Sequence, residues 1–362
     1  MDTYNSTNSV GNNDDDELSG TVVFFKRKKF LHGISIVIVE KVKSLDEKNP
    51  VYKISEVRIS SRDFLLKYPR GAYTAARTVK RKSIMDLTSH IDRMVNSLQL
   101  MKFIPDDIEE EESPQITQEL IPYRKSDTFK QMIIPLLRKG LSRYIEIEKY
   151  SFQHIKREDV NEIKITILVC YSFKEERPIL VAHFTALHSL NVSKCRVEIY
   201  GEPRKSAEAK DSQWVRDRKV LESSTHPGFN EILLSDSYTH NIYEGLSSNF
   251  FAVLHNPDKK EPLVVTAPLH YVVEGTILKI VRMICERDKI DFQFWFPNAN
   301  DAEQWEGAFI TSTSRLVLPI ELIKFRDERP LVKLPSCDNT IIKHIKNEVE
   351  KEIFHRAYRI LW

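Results

Sequence analysis

Runs of β-branched residues alternate along the chain with stretches in which apolar residues recur at helical spacing. The β-branched runs at 21–25, 34–42, 51–59 and 73–79 predict strands. From 86 to 100 the apolar side chains recur every three or four residues, which predicts an amphipathic helix. The first half of the chain therefore begins with strands and continues into helix.

The rest of the chain keeps this mixture without a regular strand–helix–strand repeat. Helices are predicted at 126–147, with Ser126 near its start, at 275–287, and after a capping Asn339. Strands are predicted at 163–171, 179–187, 196–200, 231–234, 249–254 and 263–266, and a strand with a turn at 309–320. This order of elements indicates an α+β fold.

Changes in composition suggest how the chain divides into domains. Residues 1–19 are rich in Asn, Asp and Ser, and we expect them to be disordered. We expect an N-terminal α+β domain at 20–187, a polar linker at 188–194 and a larger C-terminal domain at 195–362. The acidic stretch at 105–114 is interpreted as a solvated loop.

The charge balance limits the classes of partner. The 54 Lys and Arg residues nearly match the 52 Asp and Glu residues, so the composition favours neither nucleic acid nor a membrane surface as partner. No apolar run is long enough to span a membrane. The four cysteines lie far apart, which argues against a disulfide framework and against a metal site. A cytoplasmic protein is expected.

The segment at 231–254 carries the strongest chemical signal. It predicts two short strands that lead to Glu244, followed by Gly245, the small polar residues at 247–249 and two phenylalanines. Taken alone, this pattern is most typical of a hairpin with an exposed glutamate.

The same segment, Glu244-Gly-Leu-Ser-Ser-Asn-Phe-Phe, resembles the signature of the class IV aminotransferases. These enzymes include branched-chain and D-amino acid aminotransferases and aminodeoxychorismate lyases. The resemblance implies pyridoxal 5′-phosphate (PLP) as cofactor and a two-domain PLP fold type IV, with a barrel-like sheet in the larger domain. It also implies that Glu244 pairs with the pyridine nitrogen of PLP, which makes the ring a better electron sink.

The resemblance assigns the lysine that forms the Schiff base with PLP. Lys210 lies 34 residues before Glu244, a spacing similar to that of the family, and the aromatic Trp214 follows it. Lys205 lies in the same polar loop and is the alternative candidate. A lysine in a dry, partly cationic pocket acquires a lowered pKa and becomes a nucleophile and a general base.

Two later segments resemble the phosphate-binding turns of the family. Gly275, Thr276 and Ile277 stand where backbone N–H groups at a helix start would hold the PLP phosphate. Thr313 matches a threonine whose hydroxyl would bind the same phosphate, and Ser314 follows it near the substrate carboxylate.

In the first half, His90 and Arg93 match the His-x-x-Arg pattern of the family's first helix. They share a helix face, and an arginine can clamp a phosphate through two parallel hydrogen bonds. The resemblance therefore implies that Arg93 anchors the phosphate with support from His90, while Tyr73 lines the substrate side.

The resemblance implies reversible transfer of an amino group between an amino acid and a 2-oxo acid, in a homodimer. Two alternatives stay open: a PLP lyase of the aminodeoxychorismate type, and a fold relative that binds without turnover. The substrate cannot be named from the motifs. Glu244–Phe251 is closer to the D-amino acid and lyase members, and Lys174, Arg177 and His183 are candidate carboxylate ligands without a recognisable motif.

Overall fold

The computed structural model describes residues 36–42, 51–105, 111–151, 161–187, 193–255 and 261–361. The predicted disordered segment at 1–19 and the predicted strand at 21–25 lie outside the described residues. Within the described ranges, the strands and helices predicted from the sequence are present, with ends shifted by a few residues.

The first sheet contains seven strands. They are β1 (Ile36–Val42), β2 (Val51–Val57), β3 (Gly71–Val79), β4 (Ser83–Met85), β5 (Ile163–Ser172), β6 (Arg177–Ala186) and β16 (Ala357–Arg359). All neighbours pair antiparallel, in the order β16-β4-β3-β5-β6-β1-β2. Because successive side chains of a strand point to opposite faces, the sheet contributes side chains to two different hydrophobic cores.

Helices cover both faces of the first sheet. One face packs against α2 (Leu87–Leu100), α3 (Pro114–Leu120) and α4 (Ser126–Ser151). The other face packs against α1 (Ser61–Lys67) and α5 (Gln213–Asp217), which is followed by α6 (Lys219–Ser223). Strand β3 thus directs Ala72 and Ala76 toward α2, and Tyr73 toward α1.

The second sheet forms a closed barrel. Its strands are β7 (Cys195–Ile199), β8 (Glu231–Ser235), β9 (Ile242–Gly245), β10 (Asn249–His255), β11 (Pro262–Thr266), β12 (Asp291–Phe294), β13 (Gly307–Ser312), β14 (Leu316–Phe325) and β15 (Val332–Lys333). Six of them close in the order β10-β13-β14-β7-β8-β9, because β9 pairs back to β10 through Glu244 and Asn249. Closure removes free edges from these six strands.

The barrel has an apolar interior and a helical cover. Phe250 and Ala252 of β10 point inward with Ile310 of β13. Phe251 and Phe309 point outward, stack on each other and pack against α7 (Thr276–Asp288) and α8 (Thr340–His355). Because side chains alternate along β10, the strand contributes both to the barrel interior and to the contact with the helices.

The prediction of an α+β fold is confirmed by these two sheets and their helices. The division into domains stays a prediction, and β16 near the C-terminus joins the first sheet. The interpretation of the whole acidic stretch as solvated is wrong at Glu112. Its side chain is 8% exposed and accepts hydrogen bonds from Arg124, because an arginine 12 residues further along the chain folds back over it.

Candidate active site

A cavity of about 320 Å³ lies where the barrel meets the first sheet. Its lining combines residues of β3, β5, β9, β13 and the start of α7 with the loop that precedes α5. Nine of the ten residues predicted for the site line it: Tyr73, Arg93, Lys210, Glu244, Gly275, Thr276, Ile277, Thr313 and Ser314. The tenth, His90, lies behind Arg93. Tyr73 and Ser314 both line this cavity, although they lie more than 200 positions apart in the sequence.

The backbone around Lys210 runs alongside strand β3. The Tyr73 N–H donates to the Lys210 carbonyl at 3.0 Å, and the Ser212 N–H donates to the Gly71 carbonyl at 2.8 Å. Gly71 also permits a close approach of β3 to β5, because a Cβ there would lie 2.2 Å from the Val169 carbonyl oxygen. The Lys210 segment is thus held as an extra short strand against β3.

The Lys210 ammonium lies in the cavity, 4.9 Å from the centre of the Tyr73 ring. Burial lowers its pKa, the Tyr73 hydroxyl opposes this shift, and nearby arginines lower the pKa further. Among the described residues Lys210 forms no ion pair, although its charge acts on the Glu244 carboxylate. The competing Lys205 is exposed, and it does not line the cavity.

Glu244 is buried, and its carboxylate is held by Arg204. The guanidinium donates to Glu244 Oε1 from Nε at 2.8 Å and from Nη2 at 2.5 Å. Glu244 Oε2 accepts from the Val273 N–H at 3.2 Å. Burial raises the pKa of Glu244, while Arg204, the Val273 N–H and Lys210 oppose that shift. A carboxylate has about four lone-pair directions, so Glu244 can still accept from a ligand.

The N-terminus of α7 faces the same cavity. Gly275 is the N-cap, and no cap side chain binds the first-turn N–H groups. A Cβ on Gly275 would lie 2.1 Å from Asn249 Oδ1, so the chain approaches Asn249 closely here. The free N–H groups and the positive end of the helix dipole form an anion-binding corner.

Arg93 and His90 form a network with Thr74 beneath the cavity. Arg93 Nη2 donates to Thr74 Oγ1 at 2.5 Å and approaches His90 Nδ1 at 3.1 Å. A guanidinium only donates, so Nδ1 accepts and the imidazole proton lies on Nε2. Burial and the Arg93 and Lys210 cations hold the pKa of His90 well below its usual value. His90 is therefore a neutral support that orients Arg93.

Several buried polar atoms around this corner have no hydrogen-bond partner in the described part of the chain. They are Arg93 Nε, Thr276 Oγ1 and Thr311 Oγ1. Buried polar groups without partners are uncommon, and each needs a physical explanation. Together with the α7 N-terminus they are complementary to an anion with several oxygens. At the other end Glu244 supplies an acceptor and Lys210 a nucleophile, so the residues present fit PLP.

The turn after β13 brings in Thr313, Ser314 and an ion pair. Arg315 Nη1 donates to Glu231 Oε2 at 2.7 Å, and that oxygen also accepts from the Ser248 hydroxyl at 2.9 Å. The Glu231 side chain is 3% exposed and that of Arg315 is 20% exposed. The pair fixes this turn against the barrel beside the cavity.

One part of the cavity wall is formed by Tyr73 and cationic side chains. Burial raises the pKa of the Tyr73 hydroxyl, but the surrounding cations outweigh burial and make the net shift downward. These cations are Lys210, Arg218, Arg204 and Lys164. The wall therefore has a strongly positive potential.

Several residues that line the cavity were not predicted from the sequence motifs: Lys164, Arg204, Arg218, Thr311 and Arg315. Arg204 could have been identified from the sequence, because it lies in the same polar loop as Lys205 and Lys210. Three residues considered for the carboxylate are not in the cavity lining. Lys174 is exposed, Arg177 pairs with Glu40, and His183 stacks on Phe64.

Two features are absent from the described part of the chain. Among them, no group of three or more His, Cys, Asp and Glu residues is arranged to hold a metal ion. None of the described helices combines the length and apolarity needed to cross a membrane.

Comparison with known proteins places these observations in a family. The family model "Amino-transferase class IV" matches residues 71–323, more than half of the chain. A search among curated proteins gives no significant match.

Solved structures share the fold at low sequence identity. A branched-chain aminotransferase from Thermoproteus uzoniensis, solved with norvaline, has a TM-score of 0.61 at 12% identity, covering 90% of this chain and 99% of its own. A fold IV transaminase from Curtobacterium pusillum has a TM-score of 0.60 at 13% identity, covering 89% and 98%. A PLP-bound hypothetical aminotransferase from Mycobacterium tuberculosis has a TM-score of 0.58 at 13% identity, covering 88% and 99%. The prediction of fold type IV is confirmed.

Proposed function

We propose, on the premise that the chain belongs to the class IV aminotransferase family, that it moves an amino group between an amino acid and a 2-oxo acid with PLP as cofactor and Lys210 as the lysine that carries it. The observation that carries this proposal is the position of Lys210. It is a partly buried lysine that lines the cavity together with Glu244 and the N-terminus of α7, and it forms no ion pair among the described residues.

The residues around the cavity divide the binding of PLP between them. The N–H groups of Thr276 and Ile277, the Arg93 guanidinium and the Thr276, Thr311 and Thr313 hydroxyls would hold the phosphate. Glu244 would accept a hydrogen bond from the pyridine nitrogen, and Arg204 would hold that carboxylate ionised and in place. When bound, PLP supplies an electron sink for the bonds at the substrate α-carbon.

Lys210 moves the proton. Its lowered pKa leaves more of the amine neutral near pH 7, so Nζ could accept a proton from the substrate α-carbon and deliver it to C4′ of the cofactor. The cations Arg93 and Arg204 keep the pKa of the ammonium low, and Tyr73 limits the movement of the side chain. Burial excludes water that would compete for the proton.

Substrate orientation would come from the turn at 312–315 and from Tyr73. Ser314 and the neighbouring backbone line the cavity near the Arg315–Glu231 ion pair, which keeps the turn in position. We assign the substrate α-carboxylate to this turn. The proposal also includes a homodimer, a cytoplasmic location and the two-domain division at 188–194.

Borohydride reduction followed by peptide mass mapping tests the proposal. Purified protein is loaded with PLP and reduced, which fixes the cofactor on the lysine that carries it. We expect the pyridoxyl adduct on Lys210, with Lys205→Gln as a control that labels normally. An adduct on another lysine, or none, would contradict the proposal. A labelled protein that transfers no amino group to any 2-oxo acid would contradict the transferase activity alone.

A further inference from the structure

The segment formed by α8 and β16, residues 340–359, connects the helical cover of the barrel to the first sheet, and we call it the strap. Its helix buries Ile345 and Val349 in the core that α7 shares with the outer face of the barrel. Its strand pairs antiparallel with β4, with Ala357 opposite Met85. Met85 belongs to the same core as α7 and α8. The strap therefore contacts both α7 and the strand that leads directly into α2.

The anion-binding corner of the cavity takes one part from each of these regions. The N–H groups of Thr276 and Ile277 belong to α7, on the barrel side. The Arg93 guanidinium belongs to α2, on the side of the first sheet. One phosphate can contact both parts only when the two helices are held at a fixed distance. Contacts that fix this distance therefore control how strongly a phosphate binds.

The strap holds the start of α2 at Asp86. The Asp86 carboxylate caps the helix by accepting from the Ser89 N–H at 3.4 Å and the Ser89 hydroxyl at 2.9 Å. The Asp86 N–H donates to the Arg356 carbonyl at 3.0 Å. Asp86 has a φ of 40°, a left-handed conformation that is uncommon outside glycine. Such conformations persist where surrounding contacts impose them, so α2 depends on its contacts with the strap.

The far end of α2 is held by a different contact. The Ser97 hydroxyl accepts from the Lys210 N–H at 3.0 Å and donates to the Arg93 carbonyl at 2.8 Å. Arg93 thus lies between two fixed points, Ser97 on the side of Lys210 and Asp86 on the side of the strap. Loosening the Asp86 end would let the helix pivot about Ser97 and move Arg93 relative to α7.

Arg356 is the side chain of the strap that links α2 to α7. Its Nη1 lies 3.6 Å from Asp86 Oδ2, and its Nη2 contacts the sulfur of Met283, on α7, at 2.8 Å. Its Nε lies 3.4 Å from Glu352 Oε2, on α8. The side chain of Asp86 is 9% exposed and that of Arg356 is 35% exposed. One guanidinium therefore contacts α7, α8 and the cap of α2.

We propose that Arg356 is a positioning residue that holds the start of α2 against α7, and so keeps Arg93 where it can share one phosphate with the α7 N-terminus. Arg356 does not line the cavity, so its effect passes through Asp86 and α2. The strap lies beyond residues 71–323, which the family model matches. The inference rests on the proposed function only for the identity of the phosphate as that of PLP.

PLP and pyridoxal are suitable probes, because they share the ring and the aldehyde and differ by the phosphate. Each is titrated into the full chain freed of cofactor, and binding is followed by absorbance. Arg356→Met keeps an apolar stem and removes the guanidinium. We expect it to weaken PLP binding about tenfold and to leave pyridoxal binding within about twofold, because a displaced Arg93 loses a charge-assisted hydrogen bond to the phosphate alone.

Three further variants sharpen the test. Arg359→Met makes the same change on an exposed arginine of β16, whose Nε donates to the Leu361 carbonyl, and should change the binding of neither probe. Asp86→Asn keeps a capping side chain and removes the charge, so it should weaken PLP binding several-fold. The double variant should bind PLP no more weakly than Arg356→Met alone, since both substitutions act on one contact.

Equal losses of PLP and pyridoxal affinity in Arg356→Met would indicate general damage to the fold and overturn the inference, as would unchanged PLP affinity. Inorganic phosphate separates this result from the proposed function, because its binding at the corner does not need Lys210. If Arg356→Met weakens phosphate binding but borohydride gives no Lys210 adduct, the positioning role stands and the proposed function fails. A Lys210 adduct with unchanged PLP and phosphate affinities in Arg356→Met would overturn the positioning role alone.

Discussion

The two ends of the cavity are built differently. At the cofactor end, Arg93, Thr276 and Thr311 have buried polar atoms without partners in the described structure, close to a helix N-terminus. The outer wall contains Lys164, Arg218 and Arg62, and there Arg218 and Arg62 share the carboxylate of Glu222. The cofactor end is thus preorganised for one ligand, whereas the outer wall provides positive charge that a ligand must compete for.

The largest expected effect lies between the two ends, at Lys210. Lys210→Ala should lower amino-group transfer by at least about 10³-fold, because it removes both the nucleophile and the proton carrier. Measurement of product formation under saturating substrate tests this.

The same variant should leave the fold intact. The melting temperature of the protein without PLP should not fall, since removing a partly buried cation without an ion pair relieves a desolvation cost. A variant that unfolds, or retains more than a few per cent of the activity, would contradict the central role of Lys210.

A second contrast concerns the ion pairs at the two ends. The side chains of Arg204 and Glu244 are 7% and 6% exposed, so Arg204→Met leaves a buried carboxylate without its cation. We expect a loss of about 3–5 kcal/mol in the free energy of unfolding. Arg62→Met breaks the exposed pair with Glu222 and should cost less than about 1 kcal/mol. Urea denaturation measures both, and similar losses would remove the distinction between the ends.

This contrast also explains what could be predicted from the sequence. Lys210, Glu244 and Gly275 were found because each stands in a contiguous motif, and α2 was found because its apolar residues repeat at helical spacing. Local patterns of this kind depend on neighbours in the chain.

The outer wall could not be predicted in that way. Lys164 lies on a strand that was predicted correctly, but Arg62 and Arg218 come from segments on either side of it in the chain, and only folding brings all three to the same cavity. Neither α1 nor α6 was predicted, since five to seven residues are too few for a clear periodicity. The pairing of β16 with β4 likewise depends on long-range contacts.

A histidine behind the outer wall makes the fold sensitive to pH. Burial lowers the pKa of His183 to about 4, although the Ile59 carbonyl opposes the shift, and Lys164 lowers it further. In the unfolded chain a histidine has a pKa of about 6.5. Between these two values the unfolded chain binds more protons than the folded protein, so stability falls as the pH falls from about 6.5 to about 4.

The decrease in the free energy of unfolding that is attributable to His183 should reach about 3 kcal/mol at the lower end of this pH range. Unfolding free energies measured from pH 7 to pH 4 test this, with His183→Gln as the comparison, because carboxylates also titrate there. The slope for His183→Gln should be shallower than for the unmodified protein. Parallel slopes would show that His183 is not held neutral in the fold.

The smallest expected effect separates the two ends most directly, through a pair of threonines. Thr311 and Thr166 both have buried hydroxyls without partners in the described structure. Valine has nearly the same shape and removes the hydroxyl, so neither variant should lose stability without ligand. Thr311→Val should weaken PLP binding about tenfold, because its hydroxyl would meet the phosphate. Thr166→Val should leave PLP binding unchanged. If both substitutions weakened PLP binding equally, the two ends would not be distinct, and the cavity would act as a single site.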